Sequence, residues 1–221
     1  MAQAWYNRLG ITCLGKAALR EILPASLIAY MDGQPREWGV YALRSDLKVK
    51  VALAVSHVAD GYGCAFGSAA GWDMTSACTG AVHELLQSEN ALSLMENAYP
   101  AGQTGSASPE GEPRQLSYAR QRSILKDLPL NSLPAHGDAE LGQTYTFDDL
   151  MQSCIDAGIE IWEFDATHPE LNIPCIKLMS PQMCSWEPRF GRERLFRGVV
   201  DCGLRAAPAT EAEFAARPFP F

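Results

Sequence analysis

The sequence predicts an α+β fold, a mixed β-sheet with helices packed on it. Three observations point there. Val40 to Val58 holds two strand-like runs around Arg44-Ser-Asp46, and Val49, Val51, Leu53 and Val55 alternate on one face of the second. A long 3.6-residue pattern follows, with apolar residues at 74, 77, 78, 81, 85 and 92. Strands and helices then mix without a regular βαβ alternation, which argues against a doubly wound sheet.

Taken in order, residues 16–31 carry Ala17, Leu19, Ile22, Leu23, Leu27 and Ile28, a short helix interrupted near Pro24. Asp32-Gly33 marks a turn before the first strand pair. Asp60-Gly-Tyr-Gly63 is a second turn, leading to Ala65-Phe66 and a Gly67-Ser-Ala-Ala-Gly71 bend. A helix spans about Asp73 to Asn97, with Asp73, Thr75 and Ser76 as candidate caps. Residues 99–114, rich in Pro, Gly, Ser and Thr, read as a flexible loop. A shorter helix covers about Gln115 to Leu125, and Leu128–Gln143 is irregular. Thr146-Phe-Asp-Asp149 caps a helix that ends at Gly158. Ile159–Phe164 and Pro174–Met179 read as strands, and the last segment, Arg194 to Phe221, as strand, loop and Pro-rich tail. Val40–Val55 and Ile159–Met179 share a faint β-turn-β pattern. One domain over residues 1–221 is expected.

Composition narrows the function classes. A net charge of -8 disfavours a broad nucleic-acid or anionic-membrane surface. No apolar run approaches the roughly 20 residues of a membrane span. The seven cysteines are widely spread and include no C-x-x-C pair, so a zinc or redox motif has no support. Reduced thiols in a cytoplasmic protein are the natural reading. No G-x-S-x-G elbow occurs.

The chemistry-bearing candidates cluster after the Gly67–Gly71 bend. Glu84 and Gln87 lie three apart and share a helix face. The first turn of the helix offers backbone N–H groups suited to an anion. Spacing alone favours a solvated polar face of an amphipathic helix. His83 projects away from Glu84 and reads as a packing or surface residue.

Several segments, in order, resemble the C-terminal part of a YcaO-family domain of the type that modifies ribosomally made peptides. Trp5-Tyr-Asn-Arg-Leu9 resembles the family's Trp-Trp-Tyr-Asn-Arg-Leu segment, and Tyr41–Val51 its first Asp-Leu-Thr hairpin. Gly67–Gln87 resembles its Gly-Ser turn and Glu-x-x-Gln helix. Phe164–Thr167 with Leu171–Pro174 resembles the later hairpin. Pro181–Met183, Pro188–Phe190 and Arg194–Phe196 resemble the run beyond it. Arg217-Pro-Phe-Pro-Phe221 resembles the Pro-rich terminus of azoline-forming members. Departures are Ala42 where aspartate is usual, Lys50 where proline is usual, Ser88-Glu89 after Glu-x-x-Gln, and Cys184-Ser185.

The resemblance implies an ATP-dependent cyclodehydratase component in peptide natural-product biosynthesis, with ATP and Mg2+ as cofactors. It implies Glu84 as a metal ligand, Gln87 on metal or phosphate, Ser68 and the Gly67–Gly71 backbone near the nucleotide, and Arg194 facing the phosphates. It also implies a tail, Pro220 and Phe221, that inserts toward the active site. Implied partners are a precursor peptide and a leader-peptide-binding protein, in a homo- or hetero-oligomer. The family's preceding glutamate-bearing helix has no counterpart in these residues, so a second polypeptide is expected to complete the nucleotide site. The alternative is a non-catalytic scaffold or peptide-binding relic that has lost ATP binding. Exposed apolar surface beside the incomplete site predicts self-association.

Overall fold

A computed structural model describes residues 1–100, 112–128, 141–171, 173–184, 192–217 and 219. Its centre is a four-stranded antiparallel sheet of order β1-β2-β3-β4, formed by β1 (Ile11–Cys13), β2 (Glu37–Leu43), β3 (Lys50–His57) and β4 (Ala65–Gly71). The predicted β2–β3 hairpin is present, in the register Leu43↔Val51 to Glu37↔His57. Between β3 and β4, Asp60, Gly61 and Gly63 all adopt positive φ, as the Asp-Gly-Tyr-Gly turn requires.

β3 is covered on both faces, which the alternating pattern did not anticipate. Leu53 and Val55 face a cluster with Trp5, Tyr6 and Leu9 from the α1 (Ala2–Tyr6) end. Ala52 and Ala54 face the opposite cluster, beneath α4 (Met74–Ala98) and the pair α2 (Lys16–Ile22) and α3 (Ala25–Asp32). Pro24 separates α2 from α3 and holds Leu23 extended, with ψ 149°. The sheet therefore sits between two helical layers.

α4 begins where Asp73 predicts. The Asp73 carboxylate accepts the Ser76 N–H at 2.7 Å. Gly67–Gly71, expected as a bend, is instead the body of β4, pairing Gly67↔Ala54 through Gly71↔Lys50. The small residues serve packing rather than turning. A Cβ at Gly67 would collide with the α4 backbone at Ala81 and Leu85, and one at Gly80 would lie 2.8 Å from the Ala69 Cβ. Helix and strand approach closely because neither carries bulk there.

The expected helix over 115–125 is two: α5 (Arg114–Gln121) and α6 (Ile124–Asp127). Asp127 accepts Tyr118 Oη at 2.7 Å and Arg122 Nε at 2.8 Å, bracing the break. Most of the predicted 99–114 loop, residues 101–111, and most of the 128–143 stretch, residues 129–140, lie outside the described residues. α7 (Phe147–Asp156) has the predicted capping box between Thr146 and Asp149, and Gly158 follows at φ 65°. β5 (Trp162–Asp165) and β6 (Ile176–Met179) form a second antiparallel hairpin with exposed strand residues.

The last segment differs from expectation. In place of a strand come three short helices, α8 (Glu193–Phe196), α9 (Gly198–Asp201) and α10 (Glu211–Ala215). Leu195, Val199 and Phe214 are fully buried from them into the α1 side of the core. A second capping box, Thr210 with Glu213, starts α10. Among the described residues, no helix is long and apolar enough to cross a membrane.

Candidate functional site

Glu84 and Gln87 lie on the exposed face of α4, one turn apart. β4 is an edge strand of the sheet. The Ser68 amide in that strand donates to Oε2 of Glu84 at 2.5 Å. Helix and strand therefore bring three predicted residues, Ser68, Glu84 and Gln87, to one open edge. The close α4–β4 approach at Gly67 makes this possible, since a larger residue would push the helix and its carboxylate away from the strand.

Arg194 does not join them. Its Nη2 donates to both carboxylate oxygens of Asp46 at 2.6 Å, and its Nη1 lies 3.8 Å from Cys184 Sγ. Both partners are largely buried, with side chains 14% and 6% exposed. A role toward phosphates requires this ion pair to open. Pro220 and Phe221 lie outside the described residues. Phe219 is buried, and its ring meets that of Trp5 edge-on at 5.4 Å.

Glu89 and Ser88, which stand where the family usually has a basic residue, have local partners. Glu89 pairs with Arg36 at 3.2 Å and accepts the hydroxyl of Ser56. Arg36 Nε also donates to Ser56 Oγ at 3.0 Å. Ser88 Oγ accepts Gln115 Nε2 at 2.7 Å. This substitution ties α4 to β3 and α5, so it has a structural use.

Sequence reasoning missed a second concave feature. A cavity of about 320 Å³ at the start of α4 is lined by Arg44, Asp46, Lys48, Lys50, Met74 and Tyr145, among others. Lys50 Nζ sits 4.7 Å from the Tyr145 ring centroid and Lys48 Nζ 5.6 Å. Met74 is ten residues before Glu84, about 15 Å along the helix, so the cavity is not the Glu84 edge. The only sequence signal was Lys50, noted as a departure from proline.

Magnesium binds few carboxylates and keeps water and phosphate oxygens in its shell. Among the described residues, no group of three His, Cys, Asp or Glu side chains is arranged to hold a metal. Glu84 with Gln87 fits one side of a Mg2+–nucleotide site, with Oε2 anchored on Ser68 and Oε1 given no hydrogen bond among the described residues.

The fold matches part of solved heterocyclase structures. A heterocyclase solved in complex with substrate and cofactor superposes with a TM-score of 0.73 and 22% identity, over 100% of this chain and 30% of that one. The heterocyclase TruD gives 0.71 and 21%, over the same shares. YcaO from Methanopyrus kandleri, bound with AMPPCP and Mg2+, gives 0.51 and 18%, over 80% of this chain and 46% of that one. The chain thus spans about 30% of the length of the two heterocyclases. No curated protein matches it. The family pattern of the YcaO cyclodehydratases, described as ATP- and Mg2+-binding, matches residues 1–184. The chain belongs to the YcaO family.

Proposed function

We propose that this chain is a component of an ATP-dependent cyclodehydratase that activates peptide backbone amides for thiazoline or oxazoline formation. The observation that carries this reading is the Glu84–Ser68 bond at the β4 edge, with Gln87 one turn along. In this reading Glu84 holds Mg2+ through Oε1, and Gln87 contacts the metal or a phosphate. Ser68 and the Gly67–Gly71 strand edge lie along the nucleotide. When bound, Mg2+–ATP supplies the phosphoryl group that activates the substrate amide oxygen. A Cys, Ser or Thr side chain of the peptide would add to the amide carbon with loss of its S–H or O–H proton, closing the ring, and departure of phosphate with loss of the amide N–H proton would leave the C=N bond of the azoline.

Other parts of the reading follow from family membership. A precursor peptide is the substrate, and a leader-peptide-binding protein presents it in the cytoplasm. Pro220 and Phe221 complete the site as a catalytic tail. Water and phosphate oxygens fill most of the remaining Mg2+ positions, with any further carboxylate supplied from outside the described residues.

A second reading is a non-catalytic scaffold. It is favoured by the exposed apolar side chains of the β5–β6 hairpin. Equilibrium binding of ATP with and without Mg2+ separates the two. Mg2+-dependent binding supports the cyclodehydratase reading, and its absence supports the scaffold.

A further inference from the structure

The β2–β3 hairpin carries Lys50 where the family usually has proline, and the Glu84 site makes no use of it. The loop of this hairpin forms one wall of the cavity at the start of α4. Its volume of about 320 Å³ is at the low end of small-molecule sites, roughly 300–1,000 Å³. Arg44, Lys48 and Lys50 stand in that wall with Asp46. Among the described residues, the lining thus holds three cations and one carboxylate, in a chain of net charge -8.

The carboxylate is already neutralised. Both Asp46 oxygens accept Arg194 Nη2 at 2.6 Å, and Cys202 Sγ lies 3.6 Å from Oδ2. The cations differ in their engagement. Lys50 is 7% exposed and has a contact of its own, so it supplies wall and positive field. Lys48 is exposed and extends over the Tyr145 ring. The charge of Lys48 reaches Asp149, whose Oδ2 accepts the Thr146 N–H at 2.8 Å. Arg44 is half-buried, and its guanidinium has no hydrogen bond or ion pair among the described residues.

The wall is fixed before any ligand arrives. Ser45 Oγ accepts the Leu47 N–H at 3.1 Å, and the Lys48 N–H donates to Ser153 Oγ of α7 at 3.0 Å. The Tyr145 N–H donates to Trp72 O at 2.8 Å, which holds the ring beside the start of α4. A preformed wall loses little conformational freedom on binding. The rest of the lining is mostly apolar, with Leu43, Val49, Met74, Leu141 and Leu204.

We propose that this cavity binds a carboxylate carried by a peptide, on an Asp or Glu side chain or at a C-terminus. Arg44 and Lys48 grip the carboxylate, and the adjoining apolar side chain packs against Met74 and Leu204. The arginine fork suits both oxygens of a carboxylate. A free inorganic anion uses only the cationic half of the lining and leaves the apolar half empty. The site goes beyond the Glu84 reading and stands independently of it.

The test is an amide chemical-shift titration of the full chain at constant ionic strength. Acetyl-Leu-Glu-amide offers a side-chain carboxylate, acetyl-Leu-Gln acid a terminal one, and acetyl-Leu-Gln-amide neither. Saturable binding of a carboxylate peptide is expected, and the tighter of the two identifies the source. Acetyl-Leu-Gln-amide and inorganic phosphate are each expected to bind at least about tenfold more weakly, the scale of one hydrogen bond to a charged group or one buried Leu side chain. Arg44→Gln and Lys48→Gln, both at accessible side chains, should each weaken the peptide by about tenfold with an unchanged far-UV spectrum. Glu84→Gln should leave its affinity unchanged, which separates this site from the nucleotide reading. No saturation with either carboxylate peptide, equal binding of the neutral peptide or of phosphate, or wild-type affinity in both folded cation variants would overturn the proposal.

Discussion

The Ser68 backbone N–H donates to the Glu84 carboxylate across the seam between β4 and α4. This bond fixes a carboxylate at the open edge of the sheet and ties the proposed nucleotide contacts to the packing beneath them. Ser68 and Glu84 are sixteen residues apart, and only the near-contact of two backbones at Gly67 lets them meet.

Gly67→Ala should therefore disturb both fold and site. The added methyl has no space against the Ala81 and Leu85 backbone. Denaturant unfolding is expected to show a loss of about 3 kcal/mol, the upper range for overpacking. A Cβ at Gly142 would meet nothing within 4 Å, and Gly142→Ala should stay within about 0.5 kcal/mol of wild type.

The Asp46–Arg194 pair links the β2–β3 loop to α8. Asp46→Ala leaves the Arg194 guanidinium largely buried without its carboxylate. The expected cost is about 3 kcal/mol by chemical denaturation. A change below about 0.5 kcal/mol would mean that the pair is not a structural tie and that Arg194 is available for other anions.

Burial pushes the thiols of Cys64 and Cys78 up to about 12. A thiol whose pKa is raised by folding stabilises the native state below its unfolded value. That contribution is lost as pH climbs through the unfolded value, near 9, toward the folded one. Stability should therefore fall in this alkaline window, and less so in Cys64→Ser. Alkylation of the native protein at neutral pH should label the exposed Cys13, Cys175 and Cys202 and spare Cys64 and Cys78. Mass mapping of labelled peptides reads the outcome.

Trp162 and Phe164 on β5 and Leu178 on β6 are 56%, 56% and 64% exposed. Trp162 and Phe164 share one face of the hairpin with Met179. Such surface favours association. Light scattering is expected to show concentration-dependent association of the isolated chain, reduced in Trp162→Ser/Phe164→Ser. A wild-type monomer at all concentrations would contradict this.

Elements with local signals were legible in the sequence. Pro24, Asp73, Thr146 with Asp149, and Gly158 each mark a helix end by their own chemistry, and the ends fall there. β4 was not legible. Its Gly, Ser and Ala residues are small because α4 lies on them, and small polar residues read locally as a turn. The helices α8 and α9 were hidden for another reason, since four residues are too few to show a 3.6-residue period. The Thr210-x-x-Glu213 capping box that starts α10 lies in a segment read as strand, loop and tail, so this helix too was missed. At the site, the i, i+3 spacing of Glu84 and Gln87 was readable. The Ser68 contact and the Asp46–Arg194 pair, 148 residues apart, depend on tertiary packing.

Glu84, in the reading proposed above, forms one side of a Mg2+–nucleotide site. Its most direct test is calorimetric titration of Mg2+–ATP into wild type and Glu84→Gln. Saturable, Mg2+-dependent binding that weakens by about tenfold or more in the variant is the predicted result. Wild-type binding unaffected by the substitution, or no binding at millimolar ATP, would contradict it.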